Sequence, residues 1–127
     1  MTEKEKLIAG KIYDPSDKEL AELRANAHRL CIDYNALPET DDKRTEILKQ
    51  LGIKGNTFYL QGPVQFDYGC FTSIGKNSYA NFNFTCVDCC PVIIGDNVFM
   101  GPNVSLLPPC TLSAGRTGIS TQSLTEP

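Results

Sequence analysis

The sequence has no excess of positive charge and no long apolar run, and each absence excludes a class of function. Its 127 residues contain 12 Lys and Arg against 15 Asp and Glu, which gives a net charge of −3. Binding to nucleic acid or to an anionic membrane surface needs a basic excess. A membrane-spanning helix needs about 20 apolar residues, and the apolar runs here are only a few residues long. We therefore expect no nucleic-acid or membrane partner.

The amino-terminal residues MTEKEKLIAGK do not have the apolar stretch and cleavage site of a signal peptide. We accordingly expect a cytoplasmic location, in which thiols stay reduced. Histidine is nearly absent too, because His28 is the only one in the sequence. It lies in a helical segment, and we interpret it as a partly exposed helix residue rather than a catalytic one.

Cysteine is more frequent, with six residues, three of them in the cluster Cys86-x-x-Cys89-Cys90. A zinc site needs four ligands, usually supplied by two paired motifs, and the second pair is missing here. We interpret these cysteines as small buried residues on a β surface and expect no metal.

Charged residues are concentrated before residue 55. Residues 1–54 hold 10 of the 12 basic and 11 of the 15 acidic residues. We predict a helical segment over residues 1–54, a β region over 55–107 and an irregular tail over 108–127. Thr2 with Glu5, and Ser16 with Glu19, are capping-box patterns that predict two helix starts.

The longer of these helices has an apolar stripe at steps of three and four residues. The stripe consists of Leu20, Leu23, Ala27, Leu30 and Tyr34. A third helix is predicted to open at Asp41 or Asp42 and to end at Gly52.

The second half repeats the pattern I-G-x-N at Ile74 and Ile94, twenty residues apart. Counting in sixes from these two residues reaches other aliphatic, aromatic or small residues: Tyr68, Ala80, Cys86, Met100 and Leu106. Such a hexapeptide period is typical of a parallel β-helix, with Gly and Asn supplying the positive φ that its corners need.

We therefore predict a mainly β fold, an incomplete left-handed parallel β-helix of about two coils, preceded by the short helical segment. The predicted inward residues are Ile74, Ala80, Ile94, Met100 and Leu106. Three hexapeptides make 18 residues, so the spacing of 20 implies a two-residue excursion, which we place at Cys89-Cys90-Pro91.

Four stretches resemble the maltose and galactoside O-acetyltransferases. They are T-E-K-E-K-L-I-A-G-K-I-Y from residue 2, F-D-Y-G from 66, Y-A-N-F-N from 79, and I-G-D-N-V followed by G-P-N-V from 94. The resemblance, which runs to about residue 106, implies a homotrimer that transfers an acetyl group from acetyl-coenzyme A to a sugar hydroxyl. It also implies an active site in a groove between two β-helices, with a histidine as general base.

The resemblance also suggests substrate-binding residues. Asn81 is similar to a polar group that faces the groove, and Asp67 and Tyr79 are similar to sugar-side contacts. Asp14 corresponds to an acceptor-binding carboxylate near the helical segment, and Asp88 falls in an acidic stretch of the family.

The expected base histidine falls on Thr111, so we assign no catalytic residue. A threonine hydroxyl is a poor base at neutral pH, and Cys110 has no partner base in the sequence. Residues 113–127 lack the hexapeptide period of the coils that bind coenzyme in the family, and we expect them to be flexible.

Three hypotheses follow. The first is an acetyl-CoA-dependent sugar O-acetyltransferase by family, with this chain impaired or inactive. The second is a non-catalytic interaction or regulatory subunit that docks on full-length acetyltransferase trimers. The third is that the chain has no function.

The cysteine pattern leads to a testable prediction. Cys86, Cys89 and Cys90 should bind zinc no better than a generic thiol pair, because the ligand set is incomplete. Metal analysis of dialysed protein should find much less than one zinc per chain. Stoichiometric zinc that disappears in a Cys86→Ser variant would contradict this interpretation.

Overall fold

The computed structural model describes residues 1–107 and 110–112. Three helices come first, and none of them has the length and apolar content of a membrane span. They are α1 (Glu3–Ile8), α2 (Lys18–Asn35) and α3 (Lys43–Leu51). Nine short strands follow in the described residues: β1 (Tyr59–Leu60), β2 (Val64–Phe66), β3 (Thr72–Ile74), β4 (Tyr79–Ala80), β5 (Phe84–Cys86), β6 (Val92–Ile94), β7 (Phe99–Met100), β8 (Ser105–Leu106) and β9 (Cys110–Leu112).

The strands form three parallel sheets, each built from every third strand. We call β1-β4-β7 face 1, β2-β5-β8 face 2 and β3-β6-β9 face 3. Because successive strands enter successive sheets, the chain winds into a three-sided parallel β-helix. This confirms the predicted mainly β fold.

The predicted inward residues are confirmed. Ile74, Ala80, Ile94, Met100 and Leu106 are all at most 3% exposed. They share one apolar core with residues of α2 and of the segment that follows α3, so the helices close the top of the β-helix. The core therefore runs without a break from the helical segment into the coils.

The predicted register is wrong before Ile74. Phe66 pairs with Cys86, twenty residues later, so Phe66 and not Tyr68 is the inward residue of the first coil. The two-residue excursion predicted at Cys89-Cys90-Pro91 is present, because eight residues separate Cys86 from Ile94. An equal excursion separates Phe66 from Ile74, and counting back in sixes therefore misses the inward position by two residues.

The β-helix has three coils in the described residues, where about two were predicted. Pairing begins at Tyr59, within the predicted β region, but Cys110–Leu112 forms β9 within the range expected to be an irregular tail. Val92 pairs with Cys110, 18 residues later, so the third coil returns to face 3 without an excursion. The remainder of the predicted tail, residues 113–127, lies outside the described residues.

Asn and Gly have different roles in the I-G-x-N pattern, which lies at the corners of the β-helix. Asn77 and Asn97 have positive φ values of 60° and 58°, and the Asn77 Nδ2 donates to Asn97 Oδ1 at 2.8 Å. Gly75 is needed for a different reason. A Cβ atom at Gly75 would lie 2.4 Å from Asp96 Oδ1, so the next coil leaves no room for a side chain.

Three of the four predicted helix boundaries agree with the structure. Thr2 and Glu5 form the predicted capping box of α1, Asp42 directly precedes α3, and Gly52, with a φ of 82°, ends α3. The prediction that Ser16 caps α2 is wrong. Asp17 is the cap, and its carboxylate accepts a hydrogen bond from the Leu20 N–H at 3.2 Å.

The helical segment covers the outer edge of the first coil by hydrogen bonding. The side-chain amide of Asn35 pairs with both backbone groups of Val64: Nδ2 donates to the carbonyl at 2.9 Å, and Oδ1 accepts from the N–H at 2.8 Å. This is the hydrogen-bond pattern of a neighbouring strand, supplied by one side chain at the last residue of α2. It satisfies the edge of face 2.

The other two faces have equivalent covers. On face 1, the buried Arg44 guanidinium and the Tyr34 hydroxyl both donate to the Leu60 carbonyl. On face 3, the backbone of Lys54 forms a parallel bridge with Ser73, donating to the Thr72 carbonyl at 3.0 Å. Exposed strand edges invite pairing with other chains, and each of the three faces of the first coil is hydrogen-bonded to a residue that precedes the β-helix.

We predict that Asn35→Ala destabilises the protein by about 2–3 kcal/mol, because it leaves the N–H and the carbonyl of Val64 without partners. Urea unfolding followed by circular dichroism measures the change. Asn26→Ala is the matched control: it lies on the same helix, is exposed, and should cost less than about 0.5 kcal/mol. Equal losses in the two variants would contradict the edge-covering role of Asn35.

Candidate functional site

The residues proposed from the sequence lie at two different corners of the β-helix. Tyr79 and Asn81 lie at the end of face 1, where β4 turns toward face 2. Asp67 and Asp88 lie where face 2 turns toward face 3, after β2 and β5. Strand β5 crosses the whole of face 2 between Asn81 and Asp88. A single copy of the chain therefore does not bring the two groups to one corner.

Asn81 has the features of a ligand-binding side chain. Its backbone N–H donates to the Met100 carbonyl at 3.0 Å, and its side-chain Oδ1 accepts from the Phe82 N–H at 2.8 Å. These two bonds fix the amide at the corner. The Nδ2 group has no partner in the described residues and remains available to donate to a ligand.

Tyr79 is held by its neighbours along face 1. Its ring stacks on that of Tyr59 with centroids 5.7 Å apart and an angle of 14° between the ring planes. Phe99 is the next residue in register and is 51% exposed. Tyr79 is therefore half-buried at this corner, with one face of its ring covered by Tyr59.

Asp67 lies next to a residue that the sequence interpretation set aside. Its Oδ1 is 3.4 Å from His28 Nε2, with the two side chains 32% and 49% exposed. One helical turn earlier, Arg24 donates to the Tyr68 hydroxyl at 2.8 Å. His28 is an exposed helix residue as expected, but its contact with Asp67 was missed. The spacing of four residues from Arg24 was the available signal, because it places both side chains on one face of α2.

Asp88 is a structural carboxylate in this fold. It is fully buried; its Oδ1 accepts from the Tyr68 N–H at 2.8 Å, and its Oδ2 accepts from the Thr72 hydroxyl at 2.9 Å. These bonds tie the excursion of the second coil to that of the first. Burial raises the pKa of Asp88 to about 6, against the opposing effect of these hydrogen bonds. Both carboxylate oxygens of Asp88 are thus used within the fold, and its contact with substrate stays a prediction.

Asp14 lies in the exposed loop between α1 and α2. Its carboxylate accepts from the N–H and the hydroxyl of Ser16 at 2.9 and 2.7 Å, and these bonds lower its pKa. The adjacent Tyr13 donates its hydroxyl proton to the Cys89 carbonyl at 3.0 Å, which fixes the loop to the second excursion. Asp14 is therefore an accessible carboxylate on the Asp67 side of the molecule.

Thr111 occupies the position at which the family resemblance predicts a histidine. It lies in β9 and pairs with Ile93 of face 3. Neither the Asn81 corner nor the Asp67 corner contains a histidine apart from His28.

The cysteines do not form a metal site in the described part of the chain. No group of three His, Cys, Asp or Glu side chains is arranged there to hold a metal ion. Cys86 is fully buried in the β-helix core. Burial raises the pKa values of the Cys70 and Cys89 thiols, which lowers their reactivity at neutral pH.

Comparison with known proteins agrees with this architecture. Residues 6–51 match the maltose acetyltransferase hexapeptide capping motif. The galactoside O-acetyltransferase of Escherichia coli K12 is 38% identical, over 80% of this chain and 51% of that protein. The crystal structure of a maltose O-acetyltransferase from Clostridium difficile 630 is 37% identical, with a TM-score of 0.76, over 84% of this chain and 58% of that one.

A galactoside acetyltransferase solved in complex with coenzyme A is 35% identical, with a TM-score of 0.72, over 84% of this chain and 54% of that one. The chain belongs to the hexapeptide-repeat acetyltransferases, in the family of the maltose and galactoside enzymes, and shares their left-handed β-helix. It spans about half the length of the curated relatives that it matches.

The buried Asp88 carboxyl leads to a prediction about pH. Its pKa is raised from 3.8 to about 6 in the folded protein. The folded state therefore favours the protonated form of Asp88. The stability that this preference contributes is fully present below about pH 4 and is lost as the pH rises through 6. The free energy of unfolding of the wild type, relative to Asp88→Asn, should fall by roughly 2–3 kcal/mol across that window. Urea titrations at several pH values measure it, and a constant difference would contradict the assignment.

Proposed function

We propose that the protein serves in acetyl-CoA-dependent O-acetylation of sugar hydroxyls, in the cytoplasm and without a metal cofactor. Family membership supports the reaction class, and the relatives' names, galactoside and maltose O-acetyltransferase, support a sugar acceptor. The neighbour solved with coenzyme A supports acetyl-CoA as co-substrate.

The observation that carries the proposal is Asn81. A side-chain amide that is fixed by two hydrogen bonds and keeps its N–H donors free is suited to orient a hydroxyl or a carbonyl oxygen. Asp67 and Asp14 supply accessible carboxylates that accept from sugar hydroxyls.

Because these groups lie at different corners, a site that uses both requires a second copy, whose Asp67 corner faces the Asn81 corner of the first. A closed ring of three such contacts is a homotrimer, which we propose as the active assembly.

The reaction itself needs a base. The sugar hydroxyl loses its proton as its oxygen attacks the thioester carbonyl, and the tetrahedral adduct then expels the coenzyme A thiolate, which takes up a proton. With Thr111 in place of the expected histidine, this chain offers no base at that position. We therefore propose that these 127 residues alone are impaired in transfer.

A second candidate function is docking on full-length acetyltransferase trimers as a non-catalytic regulatory subunit. The observation that favours it is the lower edge of the β-helix. Within the described residues, β7 and β8 each pair with only one strand. Sequencing the transcript across the codons for residues 107–127 distinguishes the two candidates, because further coils with an H-P motif would favour the enzyme.

The purified chain should transfer no acetyl group to maltose, glucose or a galactoside above background in a thiol-release assay. Loss of a general base typically costs about 10²–10⁴ in rate. Loss of the positioning of the thioester raises the free-energy barrier to transfer by up to roughly 7–11 kcal/mol. Thr111→His alone should therefore not restore transfer, whereas a chain extended with family-like coils and carrying Thr111→His should do so. Turnover by the unmodified chain that is abolished by Asn81→Ala would refute the proposed impairment and support the role of Asn81.

A further inference from the structure

An apolar groove lies on the side of the molecule away from the Asn81 corner. It runs between α1 and the outer surface of face 3 and has a volume of about 550 Å³, within the usual range of small-molecule clefts, about 300–1,000 Å³. Ile8 forms its helical wall, and Ile93 and Pro91 lie on its β side. Ile8 and Ile93 are 49% and 52% exposed, so two large aliphatic side chains face solvent beside the groove.

The charged residues that line the groove are both basic. Lys54 donates from Nζ to the Cys70 carbonyl at 2.7 Å, which fixes its ammonium group at the wall. Lys4, on α1, is half-buried. Lys4, Lys54 and Cys70 all line the groove. Burial raises the pKa of Cys70, and the positive charges of the two lysines oppose that shift.

Neither lysine is neutralised in the described part of the chain. No carboxylate lies within 4 Å of Lys4 or Lys54 there, although the chain carries a net charge of −3. Asp88, the acidic group that acts on Cys70, is fully buried and holds Tyr68 and Thr72. The groove therefore combines an apolar floor with two unpaired cations.

We propose that this groove binds a soluble amphiphilic anion, an alkyl chain that carries a single carboxylate or phosphate group. The alkyl chain lies against Ile8 and Ile93, and the acid accepts hydrogen bonds from the ammonium groups of Lys4 and Lys54. This binding does not depend on acetyl transfer.

Charge distinguishes this occupant from two others. A symmetric contact with a second copy through this face would bring two pairs of lysines together, which is unfavourable. An anionic bilayer would meet a protein with a net negative charge and only two lysines at this site.

The test is a titration of the full 127-residue chain with decanoate below its micellar concentration. The methyl NMR signals of Ile8 and Ile93 are monitored during the titration. Decanoate should shift both signals saturably, and decyltrimethylammonium, which has the opposite charge, should not. Lys4→Gln and Lys54→Gln should each weaken decanoate binding by roughly fivefold and leave the weaker binding of decanol unchanged. Ile93→Ser should weaken both ligands.

Lys18→Gln and Ile32→Ser are the matched controls, since both residues are exposed on α2 and do not line the groove. Neither should change the affinity. Equal binding of decanoate and decyltrimethylammonium would overturn the proposal. So would equal losses in the control and groove variants, binding to anionic vesicles alone, or concentration-dependent self-association that shifts the Ile93 signal without ligand.

Discussion

The rest of the fold depends on satisfying the open backbone edge of the first coil, which the pairing of Asn35 with Val64 does on face 2. A parallel β-helix has strand edges at both ends, and its first coil must satisfy backbone groups that have no preceding coil. The helical segment supplies that missing layer through one amide, one guanidinium and a two-bond backbone bridge, with one device for each face. A helical segment unable to make these bonds would leave the first coil open, and the coils below it depend on the first.

The same segment also supports the corner that carries Asp67. Leu7 and Leu20 pack with Tyr68 and Phe71 in a second, smaller core beneath the amino-terminal helices. Asp88 ties the two excursions together from inside that corner. The accessible groups on this side, Asp67 and Asp14, are therefore positioned by helices and excursions, whereas Asn81 is positioned by the coils alone. The candidate site combines two independent means of fixing a side chain.

The hexapeptide period of the sequence predicted the buried core of the β-helix well. It predicted the contacts of the candidate site less well, because those contacts do not follow the period. Ile74, Ala80 and Ile94 follow a local period that the coil geometry imposes directly, so their burial could be predicted. Phe66 was missed because the excursion occurs twice, and only the second lies between the two I-G-x-N motifs. The contacts of His28 and Asn35 depend on how a helix lies on a sheet 29 or more residues away. No local pattern encodes that placement.

The paired excursions limit the insertions and deletions that this protein can tolerate. The first and second coils carry equal insertions at the same corner, stacked on each other and joined by Asp88, and the small helical core rests on both. A length change in one coil would break the stack, and a change in both would remove the surface on which α1 rests. The two insertions and the amino-terminal helices therefore form one structural unit in which no part can change length alone, whereas the 18-residue third coil lies outside that unit.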